Sequence, residues 1–352
     1  GLLLFLVINL AYGLLNSGSL SRLSLYNSLL NGRDRLPYGE NPAESYNLSL
    51  FDIDAMLASH KLSGIPKPAD EFRVIVLGDS STWGTLLRPE ETLAGQLDAA
   101  GLVTADGRQV RFYNLGYPTL SLVKDLMILE EAMQYSPDLI LWPITLESFP
   151  RQNQLESPIV ANNPVRVNAL IKKYDLNLTP IEENNSYWQR TIVGQRRALA
   201  DRLRLQFYGI MWSATGIDQV YPTSYIPAQR DLEATEDYYG WTPPEIPGDG
   251  LALDLVSAGM EIANGVPVIL VNEPILISEG SNSDIRYNFY YPRWVYDGFR
   301  LAFNETCRAE GWTCLDLWDV VPQERFTNTA IHRDAVGESI FARKIIDSGL
   351  IP

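Results

Sequence analysis

The chain has 352 residues, of which 46% are hydrophobic and 20% are charged, a balance typical of a globular protein with a sizeable core and not of a disordered chain. Its formal net charge of −15 is spread over isolated Asp and Glu residues, so the surface repels phosphate backbones and nucleic acid is not expected as a partner. The length suits one large domain, or one domain that carries a substantial insertion.

The amino-terminal segment is almost wholly apolar. Residues 1–15 read GLLLFLVINLAYGLL, and the first charged residue is Arg22. A membrane-spanning helix needs about 20 apolar residues, so this run is several residues short. We interpret residues 1–21 as the outer part of an N-terminal transmembrane anchor, with a buried or interfacial apolar helix as the alternative. Residues 22–70, punctuated by Ser, Asn, Gly and Pro, are predicted to form a connector to the domain.

Short β-branched runs then alternate with helical patterns. The predicted strands are 74–78, 110–116, 138–144, 266–274 and 314–321, and the predicted helices are 89–101, 120–136, 248–264, 292–310 and 334–348. The strand runs are continuously apolar, as expected when a parallel sheet is covered on both faces. The alternation predicts a doubly wound α/β domain with a mostly parallel five-stranded sheet, built from residues 71–149 and 248–352.

Residues 150–247 separate the third and fourth strands by far more than an ordinary crossover. This predicted insertion contains the basic helical stretch RTIVGQRRALADRLRLQ and a Tyr- and Pro-rich tract that ends in DYYGWTPPEIPGDG. A lid, a substrate platform, a second membrane contact and a helical cap over the sheet all fit this composition. The residues that suit a membrane surface are Arg196, Arg197, Arg202, Arg204, Phe207, Tyr208, Met211 and Trp212.

The chain has two cysteines, Cys307 and Cys314, in the stretch CRAEGWTC. With two His residues in the whole chain, the sequence offers no zinc cluster. We predict a short-loop disulfide, which implies an oxidising compartment, and the alternative is two separately buried thiols.

The stretch VIVLGDSSTWG, residues 74–84, places Ser80 just past the first predicted strand. Reactive groups of open α/β sheets sit at the carboxyl ends of strands, and a serine there can attack an ester carbonyl while backbone N–H groups stabilise the oxyanion. His332, at the start of the last predicted helix, is the candidate base at the same edge. His60, in the connector, is predicted to lie at the surface.

Four blocks of the sequence together resemble the SGNH/GDSL hydrolases. They are VIVLGDSSTWG, NLGYP (114–118), PDLILWPITLES (137–148) and FTNTAIHRDAVG (326–337). The resemblance covers about residues 71–149 and 265–348 and implies an SGNH/flavodoxin-like fold. It further implies that Ser80 is the nucleophile, that His332 is the base, and that the Gly116 N–H donates to the oxyanion.

Two positions depart from the family pattern. Glu147 stands where the third block has an Asn that donates to the oxyanion, and an ionised carboxylate there would repel it. Glu147 is therefore expected to be turned away or protonated, or else activity is weak or absent. In the last block Thr329 replaces the Asp that orients the His and stabilises imidazolium. Substitutes for this Asp are a backbone carbonyl, Asn328, Thr329, Asp319 and Asp334.

The leading hypothesis is a membrane-anchored, extracytoplasmic serine ester hydrolase or O-acyltransferase. It would act on acylated carbohydrate or cell-envelope esters through an acyl-Ser80 intermediate, without a metal or nucleotide cofactor. Since membrane-anchored members of this family work with membrane-bound O-acyltransferases, the resemblance implies such a partner. The competing hypothesis is a catalytically degenerate SGNH-like domain that serves as a structural subunit of a membrane complex, as the altered third and fourth blocks would predict.

Overall fold

A five-stranded parallel sheet in the order β2-β1-β3-β4-β5 forms the centre of the computed structural model. The residues described are 1–14, 21–39, 47–183, 186–220, 222 and 224–352. The strands are β1 (Glu71–Val76), β2 (Gln109–Asn114), β3 (Leu139–Ile144), β4 (Val268–Asn272) and β5 (Thr313–Asp316). The predicted α/β fold class with a parallel five-stranded sheet is confirmed. The edge strand β5 ends five residues earlier than predicted.

Helices flank the sheet and fill the connections between its strands. The α-helices described are α1 (Leu2–Tyr12), α2 (Ile53–Ser59), α3 (Lys61–Gly64), α4 (Ser80–Trp83), α5 (Leu93–Ala99), α6 (Leu122–Ala132), α7 (Pro158–Ala161), α8 (Pro164–Lys173), α9 (Tyr187–Arg190), α10 (Arg196–Thr215), α11 (Leu253–Ala263), α12 (Arg293–Glu310) and α13 (Ala335–Asp347). The 3₁₀ turns are Pro89–Glu91, Met133–Tyr135, Leu146–Ser148, Arg151–Asn153, Ile217–Gln219 and Gln323–Arg325.

Both faces of the sheet are covered, which explains its continuously apolar strands. Every residue of β3 and β4 is buried. Ile140 and Trp142 of β3 enter the larger core, where α6 packs against α11, while Leu139 and Leu141 enter the core on the other face, where α5 packs against α13. Because all five strands run parallel, their carboxyl ends meet at one edge of the sheet, and the loops that follow them share that edge.

The amino-terminal apolar run forms α1, which is 11 residues long. Residues 15–20 of the predicted anchor lie outside the described residues. Within the described ranges, no helix is both long enough and apolar enough to cross a membrane.

The predicted connector carries α2 and α3, and residues 40–46 of it lie outside the described residues. The prediction that His60 lies at the surface is wrong, because His60 is completely buried. Its Nδ1 accepts a hydrogen bond from the Leu62 N–H (3.1 Å), which caps α3, and its Nε2 lies 3.0 Å from the Asp34 carbonyl oxygen. Burial lowers the pKa of His60 to about 4, so the ring is a neutral structural group at physiological pH.

The predicted disulfide is present. Cys307 near the end of α12 and Cys314 in β5 are bonded, with their Cα atoms 6.3 Å apart. The bond joins α12 to the edge strand of the sheet.

Candidate active site

Ser80 stands on a tight turn between β1 and α4. Gly78 has a φ of +137°, and a Cβ there would lie 2.3 Å from Thr82 Oγ1, so the turn requires glycine. Asp79 caps α4 by accepting a hydrogen bond from the Ser81 N–H (2.7 Å). Ser80 is therefore the first residue of α4 and remains half-buried, at the carboxyl edge of the sheet.

His332 reaches Ser80 from the loop before α13. Its Nε2 lies 2.7 Å from Ser80 Oγ, within direct hydrogen-bonding distance. Thr329 Oγ1 accepts from the Ile331 and His332 N–H groups, at 3.2 Å each, and so shapes the loop that carries the ring. His332 lies in this loop and does not begin the helix, which is capped by Asp334.

Asn328 lies next to the His332 ring, on the side away from Ser80. Asn328 Oδ1 lies 2.8 Å from His332 Nδ1 and also accepts from the Thr327 hydroxyl (3.3 Å). Because an oxygen faces Nδ1, the proton of the neutral ring belongs on Nδ1, and the Nε2 lone pair faces Ser80. Ser80, His332 and Asn328 thus form one hydrogen-bonded chain.

The other residues considered for orienting His332 are engaged elsewhere. Asp334 accepts from the Gly337 N–H (2.7 Å) at the start of α13 and lies 3.4 Å from Arg325. Asp319 is exposed, and no contact between it and His332 occurs in the described part of the chain. The amide of Asn328 orients the ring but contributes no negative charge to stabilise imidazolium.

His332 is a neutral base. Burial, with the neighbouring Arg333 guanidinium as the second cause, lowers the pKa of His332 to about 3. The ring is therefore able to accept the Ser80 proton at neutral pH, but imidazolium is strongly disfavoured there. A bound substrate that carries developing negative charge would offset part of this cost.

Gly116 packs against the turn that carries Ser80. Its N–H donates to Asn114 Oδ1 (3.0 Å), and Asn114 Nδ2 donates to the Thr82 carbonyl (2.7 Å). A Cβ on Gly116 would lie 2.5 Å from the Trp83 nitrogen, so only glycine fits this close approach. The Gly116 N–H, which the resemblance implies would bind the oxyanion, is therefore not free in this structure, because it donates to Asn114 Oδ1. Within the described residues, the Ser80 N–H has no hydrogen-bond acceptor.

Glu147 follows β3 at the same edge and is held by tyrosines. Its carboxylate accepts hydrogen bonds from the hydroxyls of Tyr238 (3.2 Å) and Tyr239, both from the predicted insertion. Burial raises the pKa of Glu147, and these two hydrogen bonds partly oppose that increase. The Glu147 carboxyl group is therefore paired with Tyr238 and Tyr239, and it makes no hydrogen bond to Ser80 in the described part of the chain.

A buried charge cluster beside the site was missed by sequence reasoning. Ser81 Oγ donates to Glu273 Oε2 (2.5 Å), and Arg333 donates to the same oxygen (3.0 Å) and to Glu338 Oε1 (3.0 Å). Burial raises the pKa of Glu273 to about 8, with the Asp79 charge as the second cause, and burial raises that of Glu338 to about 7. The sequence positions of two members indicate this cluster, because Glu273 directly follows β4 and Arg333 directly follows His332.

Lys124 of α6 is a second buried cation near the site. Its Nζ donates to the carbonyl oxygens of Gly78 (2.7 Å) and Tyr117 (3.2 Å) and lies 2.7 Å from Asp125 Oδ1. Lys124 therefore ties the Ser80 turn to the segment after β2. Among the residues that the structure describes, no group of His, Cys, Asp and Glu side chains is arranged to hold a metal ion.

The four sequence blocks that resemble the SGNH/GDSL hydrolases meet at the carboxyl edge of the parallel sheet, in an α/β fold of the class that the resemblance implies. Among solved structures, the chain is similar to a lipolytic protein of the G-D-S-L family from Veillonella parvula (12% identity, 78% of this chain and 96% of that chain, TM-score 0.36). It is also similar to a carbohydrate acetylesterase family member from Sinorhizobium meliloti (13%, 79% and 96%, TM-score 0.34) and to the aryl esterase of M. smegmatis (11%, 79% and 97%, TM-score 0.37). No protein-family model and no curated protein matches the chain. At these identities and TM-scores the likeness bears on neither activity nor substrate.

Proposed function

We propose that the chain is a serine ester hydrolase or O-acyltransferase that works through an acyl-Ser80 intermediate. The observation that carries this proposal is the hydrogen-bonded chain from Ser80 Oγ through His332 to Asn328. A serine whose hydroxyl contacts the lone pair of a neutral, oriented imidazole is an activated nucleophile.

The reaction proceeds in two steps. Ser80 Oγ attacks the ester carbonyl carbon while His332 Nε2 takes the hydroxyl proton, and His332 then returns that proton to the departing alcohol as its C–O bond breaks. In the second step His332 takes a proton from water or from an acceptor hydroxyl, whose oxygen attacks the acyl carbon. His332 then returns this proton to Ser80 Oγ as the bond between Oγ and the acyl carbon breaks. Water as acceptor makes the enzyme an esterase, and a sugar hydroxyl makes it an O-acyltransferase.

The oxyanion site has fewer donors than the family resemblance implies. The Ser80 N–H is available, whereas the Gly116 N–H is already bonded to Asn114 and Glu147 replaces a donor by a carboxyl group. Removing one oxyanion donor costs about 3 kcal/mol of transition-state stabilisation, so we propose a slow enzyme.

An acylated carbohydrate is the substrate class we propose. Around Glu147, rings of the predicted insertion pack on Tyr238, with centroid distances of 4.9 Å to Tyr239 and 5.5 Å to Trp241. Tyr290 and Tyr291, 5.9 Å apart, continue this aromatic cluster from the other side. Tyr239, which is 46% exposed, and the half-buried Trp241 and Tyr290 offer ring faces for stacking on a sugar, with the Glu147 carboxyl group beside them as a hydrogen-bonding group.

We also propose where the protein is located and which protein it works with. The disulfide supports an oxidising, extracytoplasmic compartment, and the apolar surface of α1 supports membrane anchoring. A membrane-bound O-acyltransferase that supplies or receives the acyl group is the partner we propose.

A fluorophosphonate serine probe tests the proposed activity. The wild-type protein is expected to react covalently with the probe, while Ser80→Ala loses labelling and His332→Ala slows it at least a hundredfold. Ser81→Ala, which changes the neighbouring hydroxyl, is the matched control and keeps its label. Folded wild-type protein that remains unlabelled would overturn the proposal.

A structural subunit of a membrane complex is the second candidate. It is favoured by the uncharged Asn328 beside His332 and by the bonded Gly116 N–H, since both weaken the site. Failure of the probe to label folded protein is the result that this candidate predicts.

A further inference from the structure

Helix α10 of the predicted insertion is attached to the domain by one face. Leu205, Gly209 and Trp212, spaced four and three residues apart, are buried on that face. A Cβ on Gly209 would lie 2.7 Å from the Tyr26 ring, so the helix lies directly against that ring. This contact fixes which face of α10 points away from the domain.

The outward face of α10 is also apolar. Leu203, Phe207, Ile210 and Met211 recur at the i, i+4, i+7 and i+8 spacing of one helix face, and they are between 52% and 69% exposed. An ordinary surface helix presents polar side chains to solvent, whereas α10 has apolar side chains on two faces. Its outward face therefore requires a second apolar partner.

Helix α1 lies beside the segment that leads into α10. The Val193 N–H donates to Asn9 Oδ1 (2.9 Å), and the Tyr12 hydroxyl donates to Gln195 Oε1 (3.4 Å). Apart from Asn9 and Tyr12, every residue of α1 is apolar, and a helix of this kind is stabilised by apolar surroundings. Its exposed apolar side chains are Leu2, Leu3, Leu4, Phe5, Leu6, Val7, Ile8 and Leu10.

The charge around α10 has the opposite sign to that of the whole chain. Residues 186–215 contain five arginines against a single aspartate, within a chain of net charge −15. Arg190, Arg196 and Arg197 are exposed, and none of them has a carboxylate partner among the residues described. Exposed cations next to an apolar face complement the anionic headgroups and the acyl boundary of a bilayer.

We propose that α1 and the outward face of α10 form one docking surface that lies on an anionic lipid bilayer. Helix α10, about 30 Å long at 1.5 Å per residue, lies in the plane of the headgroups with Phe207 and its neighbours among the acyl chains. The exposed arginines at its amino-terminal end contact lipid phosphates. This second contact fixes the orientation of the domain on the membrane, which α1 alone would leave free to rotate.

A dye at a single site tests the depth of α10 directly. Both native cysteines are bonded to each other, so an introduced cysteine is the only free thiol. We expect a polarity-sensitive dye on Phe207→Cys to shift to shorter wavelength on vesicles that contain anionic phospholipid, and to be quenched by acyl-chain quenchers. The matched control is Leu301→Cys, which is 61% exposed on α12 and should keep the emission of a water-exposed dye.

Two results overturn the docking surface. In the first, the full chain binds vesicles but the dye at Phe207 behaves as it does at Leu301. In the second, the emission at Phe207 shifts without lipid as protein concentration rises, which assigns the outward face to a second copy of the chain.

Substitutions test the apolar and the basic parts separately. Phe207→Ser with Met211→Ser is expected to lower vesicle partitioning roughly tenfold or more, whereas Leu301→Ser leaves it unchanged. Arg196→Gln with Arg197→Gln should abolish most of the preference for anionic over zwitterionic vesicles, and the exposed pair Arg308→Gln with Arg343→Gln is its control. Partitioning that equals wild type in both α10 variants refutes the proposal.

Discussion

The Glu273→Gln substitution tests the buried charge cluster beside the candidate active site. Glu273 Oε2 accepts from both Ser81 Oγ (2.5 Å) and Arg333 (3.0 Å), and the amide oxygen of Gln can accept the same two bonds. The charged groups around Glu273 are Asp79, Arg333 and Glu338, and all three remain in the variant. The substitution therefore removes one titrating carboxyl group and keeps the hydrogen bonds to Ser81 and Arg333.

The magnitude follows from the pKa of Glu273, which burial raises from 4.5 to about 8. The folded protein then binds more protons than the unfolded chain between these values, so its free energy of unfolding falls as pH rises through this window. For this one group the loss between pH 5 and pH 8 is on the order of 3 kcal/mol. Gln at position 273 cannot titrate, so the stability of wild type relative to Glu273→Gln should fall as pH rises.

Urea unfolding at pH 5, 6, 7 and 8 measures this difference. Wild type should lose on the order of 3 kcal/mol more than Glu273→Gln across the series, because Glu273 titrates only in wild type. Glu261→Gln, on the exposed side of α11, is the control and should parallel wild type. Parallel pH profiles for wild type and Glu273→Gln would show that Glu273 is not titrating as a buried, proton-bearing group.

Three further substitutions address the site itself, with kcat and KM measured on acylated carbohydrate and on p-nitrophenyl acetate. Asn328→Asp places a negative charge beside His332, so it should raise the pKa of His332, raise kcat at least about tenfold and move the acid limb of the pH–rate profile to higher pH. Gly116→Ala forces a Cβ against the α4 backbone, so it should lower both kcat and the midpoint of unfolding. Tyr239→Phe removes a hydrogen bond that lowers the pKa of Glu147, the carboxyl group beside the rings proposed to bind the sugar. Because only the carbohydrate ester would use this group, KM should rise severalfold for that ester and stay unchanged for p-nitrophenyl acetate.

Each of these expectations has a result that contradicts it. An unchanged acid limb in Asn328→Asp would mean that the residue does not act on the His332 ring. Wild-type stability in Gly116→Ala would contradict the close approach to α4. Equal changes in KM for the two esters in Tyr239→Phe would contradict the proposed link between Glu147 and carbohydrate binding. Tyr208→Phe, on the exposed side of α10, is the matched control for that variant.

Local features of the sequence determined the five strands and the nucleophile turn, whereas α2 and α3 of the connector were not predicted. The central strands β3 and β4 are buried on both faces, and apolar runs marked the positions of all five strands without reference to distant residues, although Gln109 and Arg111 of β2 are exposed. The turn at Gly78 is equally local, because a positive φ requires glycine and the next residues cap α4. The pairing of Ser80 with His332 was predictable because parallel strands bring their carboxyl ends to one edge.

The partners of the other polar groups were decided by the tertiary structure alone. Glu147 pairs with tyrosines about 90 residues away, and the Gly116 N–H is bonded to Asn114, and neither partner is indicated by the sequence around these two residues. Asn328 and Thr329 were equal candidates in the sequence, and the path of one loop turned the first toward His332 and the second toward the backbone. The apolar pattern of a strand can be read from neighbouring residues, because it reflects which side chains are buried. A hydrogen bond requires an angle and a distance that are correct to within tenths of an ångström, and the packing of distant loops determines both.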